Sequence, residues 1–118
     1  MVYRMVNNSA QLDRAFVALA HPVRRRIVER LASGPATVAQ AAAGSGVSKP
    51  AISKHLRVLE EAGVVSRVID GRRHRLSLEE LPLGQASAWI ERQRALWERK
   101  FDVLDEYLSE RRSDERPE

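Results

Sequence analysis

The sequence predicts a mostly helical α+β domain in which short helices lead into a two-stranded hairpin and then one long terminal helix. Three observations predict it. Residues 48–61 carry the marks of a capped amphipathic helix. A short helical stretch and a glycine-rich turn stand just before it. A strand-turn-strand pattern stands just after it.

Residues 1–8 read as a flexible N-terminal arm, and Ser9 as the cap of a first helix to about Ala20 with Leu12, Phe16 and Leu19 on one side. Pro22 opens a second helix to Ala32, whose Val23, Ile27, Val28 and Leu31 point inward; Gly34-Pro35 breaks it. His21, just before Pro22, suits a capping role. The run Arg24-Arg25-Arg26 has two readings, a phosphate contact or a solvated face. Thr37 caps a short helix through Ala43, and Gly44, Ser45 and Gly46 form a turn. Ala42, Gly46 and Ile52 match the helix-turn-helix spacing of a small residue, a turn glycine and a β-branched residue. The small residue lets two helices cross closely, and the glycine supplies a positive φ.

The next helix begins at Ser48, whose hydroxyl can accept from a free amide of the first turn, and Pro50 costs nothing there. Ile52, Leu56 and Leu59 form its apolar face. Pro50, Ser53, Lys54 and Arg57 fall opposite, with no carboxylate until Glu61. Such a face suits the major groove, where a carboxylate would meet phosphate repulsion. The expected base readers are Lys49, Ser53, Lys54 and Arg57. Ser48, His55, Arg72 and Arg73 are expected at phosphates or in the minor groove. Gly63 ends the helix.

Val64 to Ile69 reads as a strand, Asp70-Gly71 as a two-residue type I′ turn, and Arg72 to Leu78 as the return strand. That register sets Ile69 against Arg72, Arg67 against His74 and Val65 against Leu76. Arg67, Arg72, Arg73 and Arg75 would make the outer half of the hairpin basic, which points to a polyanionic partner. The order of elements is that of a winged helix-turn-helix with a two-stranded wing.

A linker at Leu81 to Leu83, marked by Pro82, leads to a helix from about Gln85 to Glu110. Trp89, Ile90, Leu96, Trp97, Phe101, Leu104, Tyr107 and Leu108 recur along it at helical spacing. Such a helix reaches about 40 Å at 1.5 Å per residue, more than a small domain needs. The surplus stripe reads as a homodimer seam formed with the first helix. Leu12, Phe16, Trp89, Ile90, Trp97, Phe101, Leu104 and Leu108 are its expected residues. The domain is thus expected over 9–111, with a disordered charged tail at 112–118.

Charge is unevenly placed. Residues 1–78 hold 13 Lys and Arg against 5 Asp and Glu, and residues 79–118 hold 7 against 11. The basic half contains the expected DNA-binding elements, and the acidic half should face away from DNA. No Phe, Tyr or Trp lies between residues 17 and 88. The basic surface therefore lacks a base-stacking platform, which favours duplex over single-stranded DNA. With no cysteine, no phosphate loop and no nucleophile elbow, an enzyme is not expected. No signal peptide or membrane span is legible either, and a cytoplasmic location is expected without a membrane partner.

The segments LAHPVRRRIVERLASG (Leu19 to Gly34), VSKPAISKHLRVLEEAGVV (Val47 to Val65) and GRRHRLSL (Gly71 to Leu78) resemble the ArsR-type family of winged-helix regulators, from Leu12 to about Leu108. The resemblance implies a homodimeric bacterial repressor on an inverted-repeat operator, its terminal helices forming the dimer. Many such proteins sense metals through cysteines on the helix before the recognition helix, where this chain has Ala41, Ala42 and Ala43. Others use histidine and carboxylate pairs on the terminal helix, where this chain has Asp102, Asp105 and Glu106 but no histidine. No metal or cofactor is therefore expected. Two alternatives stay open: a DNA-binding regulator gated by an organic ligand at the dimer interface, and a winged helix that binds only protein.

Overall fold

The computed structural model describes residues 2–115. The elements run α1 (Val2–Leu19), α2 (Pro22–Ala32), β1 (Ala36–Thr37), α3 (Val38–Ala42), α4 (Lys49–Glu61), β2 (Val65–Asp70), β3 (Arg73–Leu78) and α5 (Glu80–Glu115). The chain divides into two units, Met1–Ala86 and Ser87–Glu118. Helix α5 starts in the first and supplies the second.

In the first unit, the stripes read on α2 and α4 turn inward, whereas on α1 the buried residues are Ala15 and Ala18, and Leu12, Phe16 and Leu19 are half-buried. Ile27 and Leu31 of α2, Ile52, Leu56 and Leu59 of α4, Val64 and Val65, and Leu76 of β3 form one core with Ala18, Ala36 and Ala41. Helix α3 is capped by a reciprocal pair. Thr37 Oγ1 accepts from Gln40 N (3.2 Å), and Gln40 Oε1 accepts from Thr37 N (3.0 Å). Ala42 packs against the core and Ile52 is buried. Gly46 adopts φ +73°, the conformation the helix-turn-helix spacing requires.

Three boundaries differ from the sequence expectation. Helix α1 begins at Val2, so Ser9 lies inside it and the segment expected as an arm continues its backbone. No glycine or proline in 2–8 stops a helix there. Met1 lies outside the described residues. Helix α5 begins at Glu80, so Leu81–Leu83 is helix rather than linker. Pro82 falls in the first turn, where its missing N–H needs no partner. The same helix runs on to Glu115, through part of the expected tail; residues 116–118 lie outside the described residues.

The wing is a three-stranded antiparallel sheet in the order β1-β3-β2, with Ala36 against Leu76 and Thr37 against Arg75. The short β1 was not legible in the sequence. The hairpin register also differs: Asp70 pairs with Arg73, Ile69 with His74, Arg67 with Leu76 and Val65 with Leu78. The loop is therefore Gly71-Arg72. Gly71 has φ +60°, and among the described residues only glycines have positive φ, the pattern of a type II′ turn. A type I′ turn on Asp70-Gly71 would force a positive φ on aspartate as well. The offset is two residues on β3, and side chains alternate with period two, so every face assignment survives it. Val65, Leu76 and Leu78 still point to the core.

The core assignment predicts a large cost for Leu56→Ala. Its side chain is 1% exposed, and truncation leaves a cavity where α4 meets the rest of the core. At fixed protein concentration, denaturant unfolding should show a loss of about 2–5 kcal/mol; a loss under 1 kcal/mol would contradict this packing.

Candidate nucleic-acid interface

Helix α4 starts at the Ser48 cap, where Ser48 Oγ accepts from Ala51 N at 3.3 Å. Its inner face is buried and its outer face is open. Ser48, Lys49, Ser53, Lys54 and Arg57 are all exposed. Lys49, Ser53 and Arg57 follow at four-residue steps, so they form one row, with Lys54 beside Ser53. Among the described residues, no hydrogen bond or ion pair occupies the Lys49, Lys54 or Arg57 side chains. The Ser48 hydroxyl accepts at the cap and keeps its own proton to donate. A row of free cations and hydroxyls can meet guanine edges and phosphates.

On the wing, Arg72, Arg73 and Arg75 are exposed. With Thr37, Val38, Ala39 and His74, the first two line an open groove between the start of α3 and the hairpin. Arg67 departs from the expected basic outer half. Its Nε donates to Glu60 Oε1 at 3.0 Å, its Nη2 also reaches Glu60, and its Nη1 donates to His74 Nδ1 at 3.0 Å. Arg67 thus ties the wing to the recognition helix. Register explains this: Arg67 shares the inward face with Leu76 and Val65 and needs a carboxylate at its half-buried head. Sequence reasoning missed the pair because Glu60 and Arg67 lie on different elements.

His55 is turned aside from the outer row. It is half-buried, its ring is 4.3 Å from that of His21, and its Nδ1 accepts from Arg24 Nη1 at 3.1 Å. Arg24 also donates to Ala18 O (2.8 Å) and Val17 O (2.9 Å), while Arg25 donates to Leu19 O (2.8 Å). These carbonyls belong to the last turn of α1, which lacks i+4 amide partners within the helix; Val17 O also accepts from Ala20 N at 3.1 Å. Two arginines of the basic run are therefore committed to a helix end. His21 is the expected cap, its Nδ1 accepting from Val23 N at 3.1 Å.

The expected dimer residues fall in both units. Leu12 and Phe16 are half-buried on α1. On α5, Trp89, Ile90, Trp97, Phe101, Leu104 and Leu108 are exposed, as are Leu96, Val103 and Tyr107. At about 100° per residue, Ile90, Trp97, Phe101, Leu104 and Leu108 fall within an arc of roughly 60°. Among the described residues, no group of three or more His, Cys, Asp or Glu side chains gathers to hold a metal ion, and no helix is long and apolar enough to cross a membrane.

This architecture has close counterparts. Residues 19–68 match the family described as a helix-turn-helix domain. The HTH-type transcriptional regulator Rv2034 of Mycobacterium tuberculosis is 47% identical over 64% of this chain and 68% of its own length. The transcriptional repressor SdpR of Bacillus subtilis is 33% identical over 67% of this chain and 88% of its own. A crystal structure of an ArsR family transcriptional regulator superposes with TM-score 0.72 at 37% identity, over 76% of this chain and 93% of that one. The chain belongs to the ArsR family of transcriptional regulators. A second solved structure, from Mycobacterium bovis, is a homodimeric winged helix-turn-helix DNA-binding domain. It has TM-score 0.62 at 25% identity, over 79% of this chain and 88% of that one. The chain is thus a DNA-binding regulator by family, with the winged helix-turn-helix fold that its sequence predicts.

The Arg24–His55–His21 contact predicts a pH dependence in this regulator. Burial, then the His21 ring and the Arg24 guanidinium, hold the His55 imidazole below its ordinary pKa of 6.5. The folded state therefore resists protonation that the unfolded state accepts. The neutral ring's stability is fully present above about pH 6.5 and is lost as pH falls toward the lowered pKa. Between pH 7.5 and 5.5 the thermal midpoint should fall further in the wild type than in His55→Gln, whose amide oxygen can still accept from Arg24. Equal falls in both proteins would remove His55 as the cause.

Proposed function

We propose that this ArsR-family regulator acts as a homodimeric repressor of an inverted-repeat operator in duplex DNA. The observation that carries the reading is the uncommitted outer row of α4. Lys49, Ser53, Lys54 and Arg57 have no partner among the described residues, while the carboxylate of Glu60 on the same helix is taken by Arg67. In this reading the row enters the major groove and reads base edges. Ser48, Arg72 and Arg73 meet phosphates or the minor groove; His55, held by Arg24, acts by setting the helix rather than by touching DNA. The stripe of α5, with Leu12 and Phe16 of α1, forms the twofold seam. The exposed aromatic and aliphatic side chains of α5 support that role, since a contiguous apolar surface marks an interaction site. The repressor named among the relatives and the homodimeric structure from Mycobacterium bovis support repression and assembly.

Two measurements test it. Arg57→Ala should weaken binding to a selected operator by about 1–3 kcal/mol and relax discrimination at one base position. Arg72→Ala combined with Arg73→Ala should weaken all duplexes alike and flatten the salt dependence. Unchanged affinity in both variants at physiological salt would refute the assigned face.

Leu104→Glu tests the assembly. It places an unpaired carboxylate in the seam and should cost several kcal/mol of association. The monomer should keep weak duplex binding but lose the gain from linking two half-sites, which reaches roughly 10²–10⁴. A wild type that sediments as a monomer at micromolar concentration, yet holds its operator tightly, would overturn the seam.

A further inference from the structure

The run Arg24-Arg25-Arg26 divides by environment. Arg24 and Arg25 are spent on the carbonyls that end α1. Arg26 is exposed, and among the described residues no hydrogen bond or ion pair holds its guanidinium. Glu29, three residues on, makes no ion pair with it. What locates Arg26 is Gly44. A Cβ placed on that glycine would stand 2.5 Å from Arg26 Nη2 and 3.5 Å from Cζ. The guanidinium therefore lies against a residue that has no side chain. Gly44 sits in the turn that leads from α3 through Ser48 into the first turn of α4. That end of a recognition helix is the one that approaches base edges. Arg26 itself lines an open groove with Pro22, Arg25, Glu29 and Arg30, which together hold three cations and one carboxylate.

We propose that Arg26 is a phosphate-binding residue, reaching the DNA backbone beside the groove that α4 enters, and that Gly44 is the gap through which it reaches. The inference rests on the DNA-binding reading above and extends its footprint to α2. A guanidinium is suited to this contact, because its planar fork donates two parallel hydrogen bonds to phosphate oxygens. The contact carries no sequence information, so it fixes register and adds counterion release.

The experiment is a titration of operator and of unrelated duplex with wild type, Arg26→Ala, Arg26→Lys and Arg57→Ala across a salt series, with thermal midpoints measured alongside. Arg26→Ala should weaken both duplexes by the same factor, about fivefold near 0.15 M salt and vanishing toward 1 M. The slope of log affinity against log salt should become shallower by about one. Arg26→Lys should keep the slope, since a point cation still displaces a counterion, and all thermal midpoints should stay together. Gly44→Asn tolerates the positive φ of +73° but fills the gap. It should cost affinity in the wild type and add nothing to Arg26→Ala. Unchanged affinity and slope in Arg26→Ala, while Arg57→Ala is impaired, would overturn this inference alone. A loss with unchanged slope, or an equal Gly44→Asn loss in both backgrounds, would assign the effect to the turn and overturn it as well. A wild type that binds no duplex would remove the DNA-binding reading itself.

Discussion

Helix α4 is buried along Ile52, Leu56 and Leu59, and this stripe decides where its outer row points. Fully burying three such side chains contributes about 1.5–3 kcal/mol each, against about 0–1 kcal/mol for an exposed ion pair. Packing therefore fixes the helix, and polar contacts adjust it. Two of them do so at different places along its length. Arg24 meets His55 from α2, and Arg67 meets Glu60 from the wing. Each half-buried head has its partner, and no buried side-chain polar atom among the described residues lacks one. The recognition helix is held from inside, from α2 and from the sheet, which leaves its outer side chains free without leaving the helix loose. Groups that read base edges need that combination, because their supporting elements must not move.

The cations of the first unit divide into two populations by what surrounds them. Arg24, Arg25 and Arg67 end on carbonyls, a carboxylate or an imidazole. Arg26, Lys49, Lys54, Arg57, Arg72 and Arg73 end in solvent. Composition alone counts both populations as one positive charge, and so overstates what is available to a polyanion. The free set still spans α2, α4 and the wing. Of the two carboxylates that end α4, Glu60 is taken by Arg67, while Glu61 lies one four-residue step beyond Arg57 and is exposed at the far end of the row.

The core and the helix-turn-helix were legible in the sequence because both rest on local rules: caps at Thr37 and Ser48, a glycine at 46, and apolar residues at helical spacing. The wing's faces were legible even though its register was not. The offset moved β3 by two residues and left Val65, Leu76 and Leu78 inward. What stayed hidden were contacts between elements far apart in the chain. Nothing local links Glu60 to Arg67, Arg24 to His55, or Arg26 to Gly44, since each depends on how helices and strands cross. Strand β1 was hidden for a related reason. Two residues, Ala36 and Thr37, carry no period, and only pairing with Leu76 and Arg75 makes them a strand. At α1 the Ser9 cap was a preference without a helix breaker behind it, and the helix ran past it.

Helix α5 raises a different question, because its stripe is wider than a simple two-helix seam. Within Ser87–Glu118, Ile90, Trp97, Phe101, Leu104 and Leu108 occupy one arc. Leu96, Val103 and Tyr107 lie on one flank of it, about 100–140° round the helix at 100° per residue. The other flank is charged: Arg94 donates to Glu98 at 3.2 Å and stands 3.8 Å from Glu91. A narrow seam needs about two positions in seven and polar residues on both sides. Two apolar strips, separated by Gln93, Lys100 and Arg111, and one ion-paired flank instead suit a helix that packs against more than one neighbour. On that argument the proposed twofold partner is covered by more than α5 alone. Leu12 and Phe16 of α1 are the side chains the sequence reading assigned to that second contact. The proposed assembly thus draws on the two ends of the chain, α1 and α5, and the proposed DNA contacts on its middle, α2 to the wing.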